Sequence, residues 1–251
     1  MAFDRLPRRD PRTVAREIPG VMEALFPQLT PSVVRYLNGT FSYTCGAHKI
    51  AKETFEGIET QHSLLFEISY EIGESLLLSE EKLDFDLCIS RAVDRQKNHF
   101  DFTAPKVIPS AELELAKLVG ENLNDALSFR AAFKSLKLNS SPIIPGFQWI
   151  SSSKGDFALG TELIEVKCSR RNFGSADYRQ LLIYWLMSYL GKTEGKSEEW
   201  SSGLLINPRR NTQVEFEFPY LLKIVSGGRT KIEILELFKH IIGEFSKSIE
   251  F

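Results

Sequence analysis

The distribution of apolar residues from residue 110 onward predicts long amphipathic helices. After Ser110, a good helix N-cap, apolar side chains recur at helical spacing and share one face: Leu115, Leu118, Val119, Leu123, Ala126 and Leu127. This pattern predicts a helix from Ser110 to about residue 136. The same kind of spacing predicts helices at about residues 176–189 and 231–245.

Short apolar runs between these helices predict strands, because they are rich in β-branched and aromatic residues. They fall at about residues 143–150, 157–159, 163–167, 204–206 and 214–218. The resulting order is helix, strand, strand, strand, helix, strand. We expect a mixed sheet that carries a functional site at a strand end.

The first part of the chain carries weaker patterns. Three prolines predict an irregular segment over residues 1–20: Pro7, Pro11 and Pro19. Residues 33–37 and 40–44 flank Asn38-Gly39, which predicts a β-hairpin with a type I′ turn.

Three more segments precede residue 110. We expect a short helix within residues 46–60 and a strand at about residues 64–72, and residues 83–95 alternate weakly. A stretch with two prolines at residues 103–110 marks a joint. This joint predicts an α+β region over residues 1–105 and a second domain over residues 106–251.

Composition narrows the class of protein. The 251 residues are 43% hydrophobic and 25% charged, which is ordinary for a globular protein. No apolar run is long enough to span a bilayer and the N-terminus has no apolar signal segment, so we expect a cytoplasmic protein without a membrane partner. Three cysteines without a CxxC pair and four scattered histidines make a zinc site or disulfide framework improbable.

The segment from Asp156 to Lys167 concentrates charge within an apolar, β-branched run. Glu165 and Lys167 are two residues apart and leave the same face of a strand, while Ile164 and Val166 leave the other face toward a core. Such charges on a sheet face are costly unless a metal or a partner uses them. The alternative is a surface lysine that merely pairs with Glu165.

The Glu-x-Lys spacing alone is weak evidence, because it also occurs at Glu80-Glu81-Lys82 and Glu194-Gly195-Lys196. Those two copies lie in polar stretches that predict solvated loops or helix ends. Only the copy at Glu165 lies in an apolar run with an acid just upstream across a glycine turn.

Gly155-Asp156 followed by Glu165-Val166-Lys167 resembles the core motif of the PD-(D/E)xK nuclease superfamily, although Gly155 replaces its proline. Gln180 and Tyr184 resemble the Gln-x-x-x-Tyr helix motif of the RecB-like branch. The resemblance covers about residues 110–218. It implies that residues 106–251 form a nuclease-like catalytic domain and leaves residues 1–105 as a recognition or partner-binding region. It implies an α/β (α+β) fold with a restriction-endonuclease-like αβββαβ core and a mixed central sheet.

The resemblance implies a nuclease that uses Mg²⁺, with Mn²⁺ as a substitute. Magnesium prefers hard oxygen ligands, which Asp156 and Glu165 supply as carboxylates and Val166 as a backbone carbonyl. Lys167 would orient or help to deprotonate the attacking water, or stabilise the charge that develops on the phosphate.

Residues of two helices are further candidates for the same site. Gln180 and Tyr184 share one helix face, and the RecB-like pattern places this pair beside the catalytic strand; the alternative is ordinary core packing. An acid from the first helix often completes such sites. Glu121 is the first candidate and Glu112 the next, and the alternative for either is a solvated helix acid.

Basic residues near the site are candidates for contact with DNA phosphates. The net charge of −2 does not indicate nucleic-acid binding, but a local patch is sufficient. Arg170, Arg171 and Arg179 follow Lys167 closely and are the expected contacts. Other basic runs are Arg209-Arg210 and an N-terminal group: Arg5, Arg8, Arg9, Arg12 and Arg16.

We therefore expect a Mg²⁺-dependent nuclease that hydrolyses phosphodiester bonds in DNA. By analogy with the family, it would be a restriction or phage-defence effector that works as a homodimer or with a helicase, an ATPase or another defence-system partner. Two alternatives stay open. One is a repair or recombination nuclease, and the other is a catalytically silent nuclease-fold subunit that serves assembly.

Overall fold

The computed structural model describes residues 8–78, 83–97, 102, 105 and 107–249. Its α-helices are α1 (Pro11–Glu17), α2 (Val21–Leu25), α3 (Pro31–Phe41), α4 (His62–Leu77), α5 (Phe85–Gln96), α6 (Ser110–Lys134), α7 (Ser175–Thr193), α8 (Phe218–Val225) and α9 (Lys231–Ile249). A 3₁₀ helix lies at Lys52–Phe55. The strands are β1 (Ser42–Tyr43), β2 (Leu138–Ser140), β3 (Ile143–Ile144), β4 (Ser153–Lys154), β5 (Phe157–Leu159), β6 (Glu162–Val166), β7 (Ser202–Asn207) and β8 (Thr212–Glu217).

Six strands of the described chain form one mixed sheet in the order β1-β8-β7-β6-β5-β2. Strands β2, β5 and β6 are antiparallel neighbours, whereas β6 and β7 are parallel and α7 connects them. Strands β8 and β1 extend the sheet in antiparallel fashion. The mixed α/β class predicted from the sequence is confirmed.

The two central strands, β6 and β7, are buried on both faces of the sheet. On one face Ile164 and Ile206 pack against the apolar stripe of α6, which includes Leu123 and Leu127. On the other face α7 packs, and α1, α2, α3, α8 and α9 surround it in the same core cluster. Because α7 is enclosed on all sides, its apolar residues are not confined to one stripe.

The core on the α7 side includes side chains from both ends of the chain. Val14 of α1, Leu25 of α2 and Leu37 of α3 are buried in the same cluster as the α7 residues. The segments before and after the predicted joint near residue 105 therefore share a core on this side of the sheet. The division into two functional domains stays a prediction.

Helix α4 packs along α6 at very short range. A Cβ atom added to Gly120 would lie 2.7 Å from Cγ2 of Ile72 and 2.8 Å from the Ser69 carbonyl oxygen. Gly73 of α4 approaches the Gly120 carbonyl oxygen in return. The two glycines thus allow the helix backbones to come together, and α4 covers the outer side of α6.

Most patterns after residue 110 are confirmed, but one strand is much shorter than predicted. The helices α6, α7 and α9 and the strands β5 to β8 lie within a few residues of the predicted spans. The predicted strand at residues 143–150 is reduced to Ile143–Ile144, because Pro145 follows and interrupts the ladder. Helix α8 and strand β2 were not predicted. Helix α8 begins at Phe218, which the pattern assigned to the end of a strand, and β2 takes the place in the main sheet that was expected for residues 143–150.

The predicted β-hairpin around Asn38-Gly39 is wrong, because these residues lie in α3. Pro31 occupies the first turn of the helix, and Thr30 accepts a hydrogen bond from the Val33 amide at 3.3 Å. Strong N-terminal capping therefore overrides the turn preference of Asn-Gly.

The predicted strand at residues 64–72 is also wrong, because this run belongs to α4. Leu64, Ile68 and Ile72 are four residues apart, so they form one helical face that packs in the core. A short apolar run is compatible with the spacing of a strand and with that of a helix. Here the length of the element and its contact with α6 favour a helix.

Three further predictions for the N-terminal region need correction. The segment predicted as irregular contains α1, since Pro11 fits a first helical turn and Asp10 caps the helix by accepting from the Arg12 amide at 2.7 Å. Residues 46–60 form only the 3₁₀ helix, and residues 83–95 lie largely in α5. Pro7 and the motif at Glu80-Glu81-Lys82 lie outside the described residues.

None of the helices in the described part of the chain has both the length and the apolar character needed to cross a bilayer.

Gly120→Ala is expected to lower the free energy of unfolding by about 1–3 kcal/mol, because the added methyl group overlaps α4. Gly243→Ala is the matched control in α9, where an added methyl group would meet nothing within 4 Å. This control should raise the free energy of unfolding by about 0.5–1 kcal/mol through helix propensity. Urea unfolding followed by circular dichroism measures both, and a stabilising effect at both positions would contradict the close packing of α4 on α6.

Candidate active site

The β5–β6 hairpin brings Asp156 and Glu165 together. Phe157 faces Ile164 in its register, so the next pair toward the open end is Asp156 and Glu165. The Val166 amide donates a hydrogen bond to Oδ2 of Asp156 at 2.7 Å. Burial raises the pKa of Asp156 well above its usual value and the Glu165 carboxylate raises it further, although the Val166 amide and the Lys167 ammonium oppose this. The two carboxyl groups therefore share one poorly hydrated space.

Lys167, Glu165 and Gln180 form a closed set of hydrogen bonds. Nζ of Lys167 donates to Oε1 of Glu165 at 2.9 Å and to Oε1 of Gln180 at 2.8 Å. Nε2 of Gln180 donates to Oε1 of Glu165 at 2.5 Å and to the Tyr184 hydroxyl at 3.3 Å. Burial, and then the Glu165 carboxylate, raise the pKa of Tyr184, so its hydroxyl stays protonated at neutral pH. The helix α7 thus holds the ammonium group in one position.

The second carboxylate oxygen of Glu165 is left without a protein partner. Glu165 is only 3% exposed, and its Oε2 atom has no hydrogen-bond donor among the described residues. An uncompensated buried carboxylate oxygen is costly, and a bound cation would relieve that cost. The Asp156 carboxyl group lies within hydrogen-bonding reach of Glu165, so a shared proton or a bound cation would relieve the repulsion between the two groups.

The available oxygen atoms fit a hard divalent cation. The carbonyl of Val166 leaves the strand on the same edge as its amide, which is bonded to Asp156. The described residues contain no cluster of three or more His, Cys, Asp or Glu side chains suited to a metal ion. Magnesium requires only one or two carboxylates because it retains several water molecules. The carboxylates of Asp156 and Glu165 therefore fit Mg²⁺ better than they fit zinc.

Two side chains next to this site were not predicted as site residues. Arg12 of α1 lines a cavity of about 230 Å³ together with Lys167 and Gln180. Tyr70 of α4 stacks on Phe157 with ring centroids 5.4 Å apart. Burial, and then the Asp156 carboxylate, raise the pKa of Tyr70. The sequence placed Arg12 only within a basic run, and it contains no local signal that connects α1 or α4 with the hairpin.

The candidate helix acids do not join the carboxylate pair. Glu121 lies 2.9 Å from Nε2 of His48, and none of its described contacts reaches Asp156 or Glu165. Glu112 accepts hydrogen bonds from the amides of Glu59 and Thr60 at 2.7 and 3.1 Å, so it holds a loop in place. The resemblance alone therefore gave no reliable guide to an additional acid.

The three predicted DNA-contacting arginines point to different places. Arg179 donates to Glu23 at 2.6 Å, and Arg171 is exposed to solvent. Arg170 lines a separate cleft with Arg209 and Arg210. They do not form one continuous patch with the carboxylate pair.

The chain matches no family model, no curated protein and no solved structure. Asp156, Glu165 and Lys167 therefore have to be interpreted from their own geometry and chemistry. Of the sequence-predicted residues, the structure brings Asp156, Glu165, Val166, Lys167, Gln180 and Tyr184 together.

Asp156→Asn is expected to stabilise the metal-free protein progressively as the pH rises. Because the folded-state pKa of Asp156 is raised, its stabilising contribution is complete below its ordinary value of 3.8 and is lost as the pH rises through the folded-state pKa. Asparagine avoids this loss, and its side-chain oxygen can still accept from the Val166 amide.

Melting temperatures measured in chelator between about pH 4 and pH 9 test this expectation. Asp94→Asn, at an exposed position of α5, controls for the change in net charge. If the curves of the wild type and Asp156→Asn run parallel, the carboxylate pair is not as closely coupled as we conclude.

Proposed function

We propose that this protein is a divalent-metal-dependent nuclease of the PD-(D/E)xK type that hydrolyses phosphodiester bonds in DNA. The observation that carries the proposal is the convergence of Asp156, Glu165 and Lys167 at one end of strands β5 and β6. There, Oε2 of Glu165 is buried and has no hydrogen-bond donor among the described residues. Two acidic groups and one fixed ammonium are the chemical minimum for attack on an anionic phosphodiester with help from a metal ion.

The order of elements supports a restriction-endonuclease-like core. Helix α6 is followed by the antiparallel strands β2, β5 and β6, then by α7 and the parallel strand β7. This is the αβββαβ order that the resemblance implies, interrupted only by the small β3–β4 ribbon. The candidate site lies at the C-terminal end of β6, where the chain leaves the sheet toward α7.

Asp156, Glu165 and the Val166 carbonyl would hold Mg²⁺, which supplies a polarised phosphate and a more acidic bound water when present. Lys167 provides positive charge beside the carboxylate pair, where it can stabilise an anionic phosphate as charge develops on it. Gln180 accepts from Lys167 and donates to Glu165, so one side chain of α7 fixes both groups. Tyr184 accepts from Gln180 and limits its rotation.

The biological role that we propose follows from the family resemblance and not from a particular residue. Small nucleases of this kind act as restriction or phage-defence effectors in the cytoplasm, with a helicase or ATPase partner or as homodimers. Cleavage of both strands of a duplex would favour a dimer, because each strand needs its own active site.

The proposal predicts metal-dependent cleavage that requires all three charged residues. Wild-type protein should cleave plasmid or linear DNA with Mg²⁺ or Mn²⁺ and not in chelator. Asp156→Asn and Glu165→Gln should lose cleavage and weaken Mn²⁺ binding measured by calorimetry. Lys167→Ala should lower the cleavage rate about 10²-fold or more while Mn²⁺ binding persists.

The chain supplies matched controls for these substitutions. Glu194 and Lys196 have the same spacing and form an ion pair of 2.7 Å, but they lie in a polar turn after α7. Glu194→Gln and Lys196→Ala should therefore cleave like the wild type. Undiminished cleavage in all three site variants would place the active site elsewhere. A folded wild-type protein that neither cleaves DNA or RNA nor binds Mn²⁺ would favour the assembly-subunit alternative.

Gln180→Ala is expected to lower kcat about 10–100-fold with little change in KM, because Gln180 positions Lys167 and Glu165 without supplying a charge. Tyr184→Phe removes only the 3.3 Å hydrogen bond to Gln180 and should have a smaller effect. Steady-state kinetics on a labelled oligonucleotide measure both. A rise in KM at unchanged kcat would show that Gln180 binds substrate and does not position the site.

A further inference from the structure

A second charged site lies at the same end of the sheet as the candidate active site. It is a cleft of about 310 Å³ lined by the 3₁₀ helix and by the loops after β6 and β7. We call it the arginine cleft, and the side chains that define it are Phe55, Arg170, Arg209 and Arg210. Lys52 also lines it and adds a further positive charge.

Arg209 is buried without a carboxylate. It is 7% exposed, and its guanidinium carbon lies 3.7 Å from the centre of the Phe55 ring. Burial lowers the pKa of Arg209, and the neighbouring Arg170 lowers it further. The ring offers a favourable cation–π contact, but it does not neutralise the charge.

Arg170 and Arg210 are also bonded only to neutral groups. Arg170 donates to the Phe55 carbonyl oxygen at 3.2 Å and lies 2.8 Å from Nε2 of His62. Arg210 donates to the Arg170 carbonyl oxygen at 2.8 Å, and its buried Nε atom has no partner among the described residues. Burial, Arg170 and Arg209 lower the pKa of His62, which keeps that ring neutral at physiological pH.

Two other arginines of this chain, the largely buried Arg130 and the exposed Arg95, form ion pairs with carboxylates. Arg130 has an 11% exposed side chain and is bonded to both Glu162 and Glu215. Arg95 pairs with a set of glutamates on α4: Glu67, Glu71 and Glu74. In the arginine cleft, three guanidinium groups come together and none forms an ion pair with a carboxylate of the described residues. This concentration of positive charge, which includes the buried Arg209, favours binding of an anion from outside the chain.

We infer that the arginine cleft binds a phosphate group of a nucleic-acid strand. Guanidinium groups donate two parallel hydrogen bonds to phosphate oxygens, and Arg170 and Arg210 line the cleft without a bonded carboxylate among the described residues. The cleft is larger than a phosphate alone requires and leaves room for the attached sugar. Glu56 also lines the cleft, but it is exposed and its charge is screened by solvent.

The inference rests on the proposed function, because the path of the DNA strand across the protein is set by the candidate active site. Arg170 follows Lys167 by three residues, so their Cα atoms are at most about 11 Å apart. Arg209 follows the end of β7, the parallel neighbour of β6. A strand whose scissile phosphate lies at Asp156 and Glu165 can therefore place a nearby phosphate in the arginine cleft.

Oligonucleotide binding in chelator tests the cleft separately from cleavage. The affinity of a labelled single-stranded DNA is measured by fluorescence anisotropy over a range of salt concentrations. Arg210→Gln should weaken binding about 10-fold or more and reduce the salt dependence by about one counterion. Arg209→Gln should do the same. Because Arg209 is buried, the less buried Arg210 provides the test if Arg209→Gln does not fold.

Arg35→Gln is the matched control, because Arg35 is an exposed arginine of α3 whose described hydrogen bond is to Ser32. It removes the same charge outside the cleft and should bind DNA like the wild type. Wild-type affinity in Arg210→Gln, or an equal loss in Arg35→Gln, would overturn the inference.

Two DNA substrates distinguish the source of the phosphate. If the cleft takes a terminal phosphate, a 5′-phosphorylated strand should bind more tightly than a 5′-hydroxyl strand, and Arg210→Gln should remove the difference. If it takes an internal phosphate, both strands should bind equally and weaken equally in Arg210→Gln. Both results support the cleft, whereas a preference that survives in Arg210→Gln would contradict it.

The outcomes for the two sites can be separated. If the nuclease proposal is wrong, the wild-type protein should neither cleave DNA nor bind Mn²⁺, but its DNA binding should still depend on Arg209 and Arg210. If the inference about the cleft is wrong, the wild-type protein should still cleave DNA with a metal ion. The DNA affinity should then be the same in Arg209→Gln, Arg210→Gln and the wild type.

Discussion

The register of β5 on β6 is the constraint on which the candidate active site depends. With Phe157 opposite Ile164, Asp156 lies opposite Glu165 and reaches the Val166 amide. A slip of one residue would turn Glu165 toward α6 and bring an apolar side chain into its place. The burial of Ile164 and Val166 against α6 opposes such a slip. Apolar packing on one face of the sheet thus maintains the arrangement of charges on the other.

The enclosed position of α7 explains why this arrangement is electrostatically strained. The helix covers the Glu165 face of the sheet, and its outer side is covered in turn by α1 and the C-terminal helices. Charges in such a place interact strongly, because little water remains to screen them. The raised pKa of Asp156 and the unpartnered Oε2 atom of Glu165 among the described residues both result from this burial of acidic groups. The packing that stabilises the fold therefore also holds the two carboxyl groups close together, which favours binding of a cation.

Two sites at the same end of the sheet carry charges of opposite sign: the carboxylate pair is acidic and the arginine cleft is basic. Among the described residues, one oxygen of the carboxylate pair has no hydrogen-bond donor, and no carboxylate forms an ion pair with the arginines of the cleft. Arg130, which is fully paired with Glu162 and Glu215, shows that this chain can neutralise an arginine where only structure is required. A metal-bound phosphodiester strand would supply both a cation for the first place and an anion for the second.

Local sequence patterns determined those parts in which neighbours along the chain are also neighbours in space. The long stripe of α6 and the glycine turn between β5 and β6 were sufficient to predict those elements, and the spacing of Asp156, Glu165 and Lys167 followed from the hairpin. The same reasoning failed for α4, because a short apolar run fits both a strand and a helix until a packing partner selects one. It failed for α3 because the capped helix start at Thr30 and Pro31 outweighs the turn preference of Asn38-Gly39. Only the tertiary structure placed Arg12 and Tyr70 beside the carboxylates and assembled the arginine cleft. Those residues come from elements far apart in sequence, and burial of apolar surface between the elements, not local spacing, brings them together.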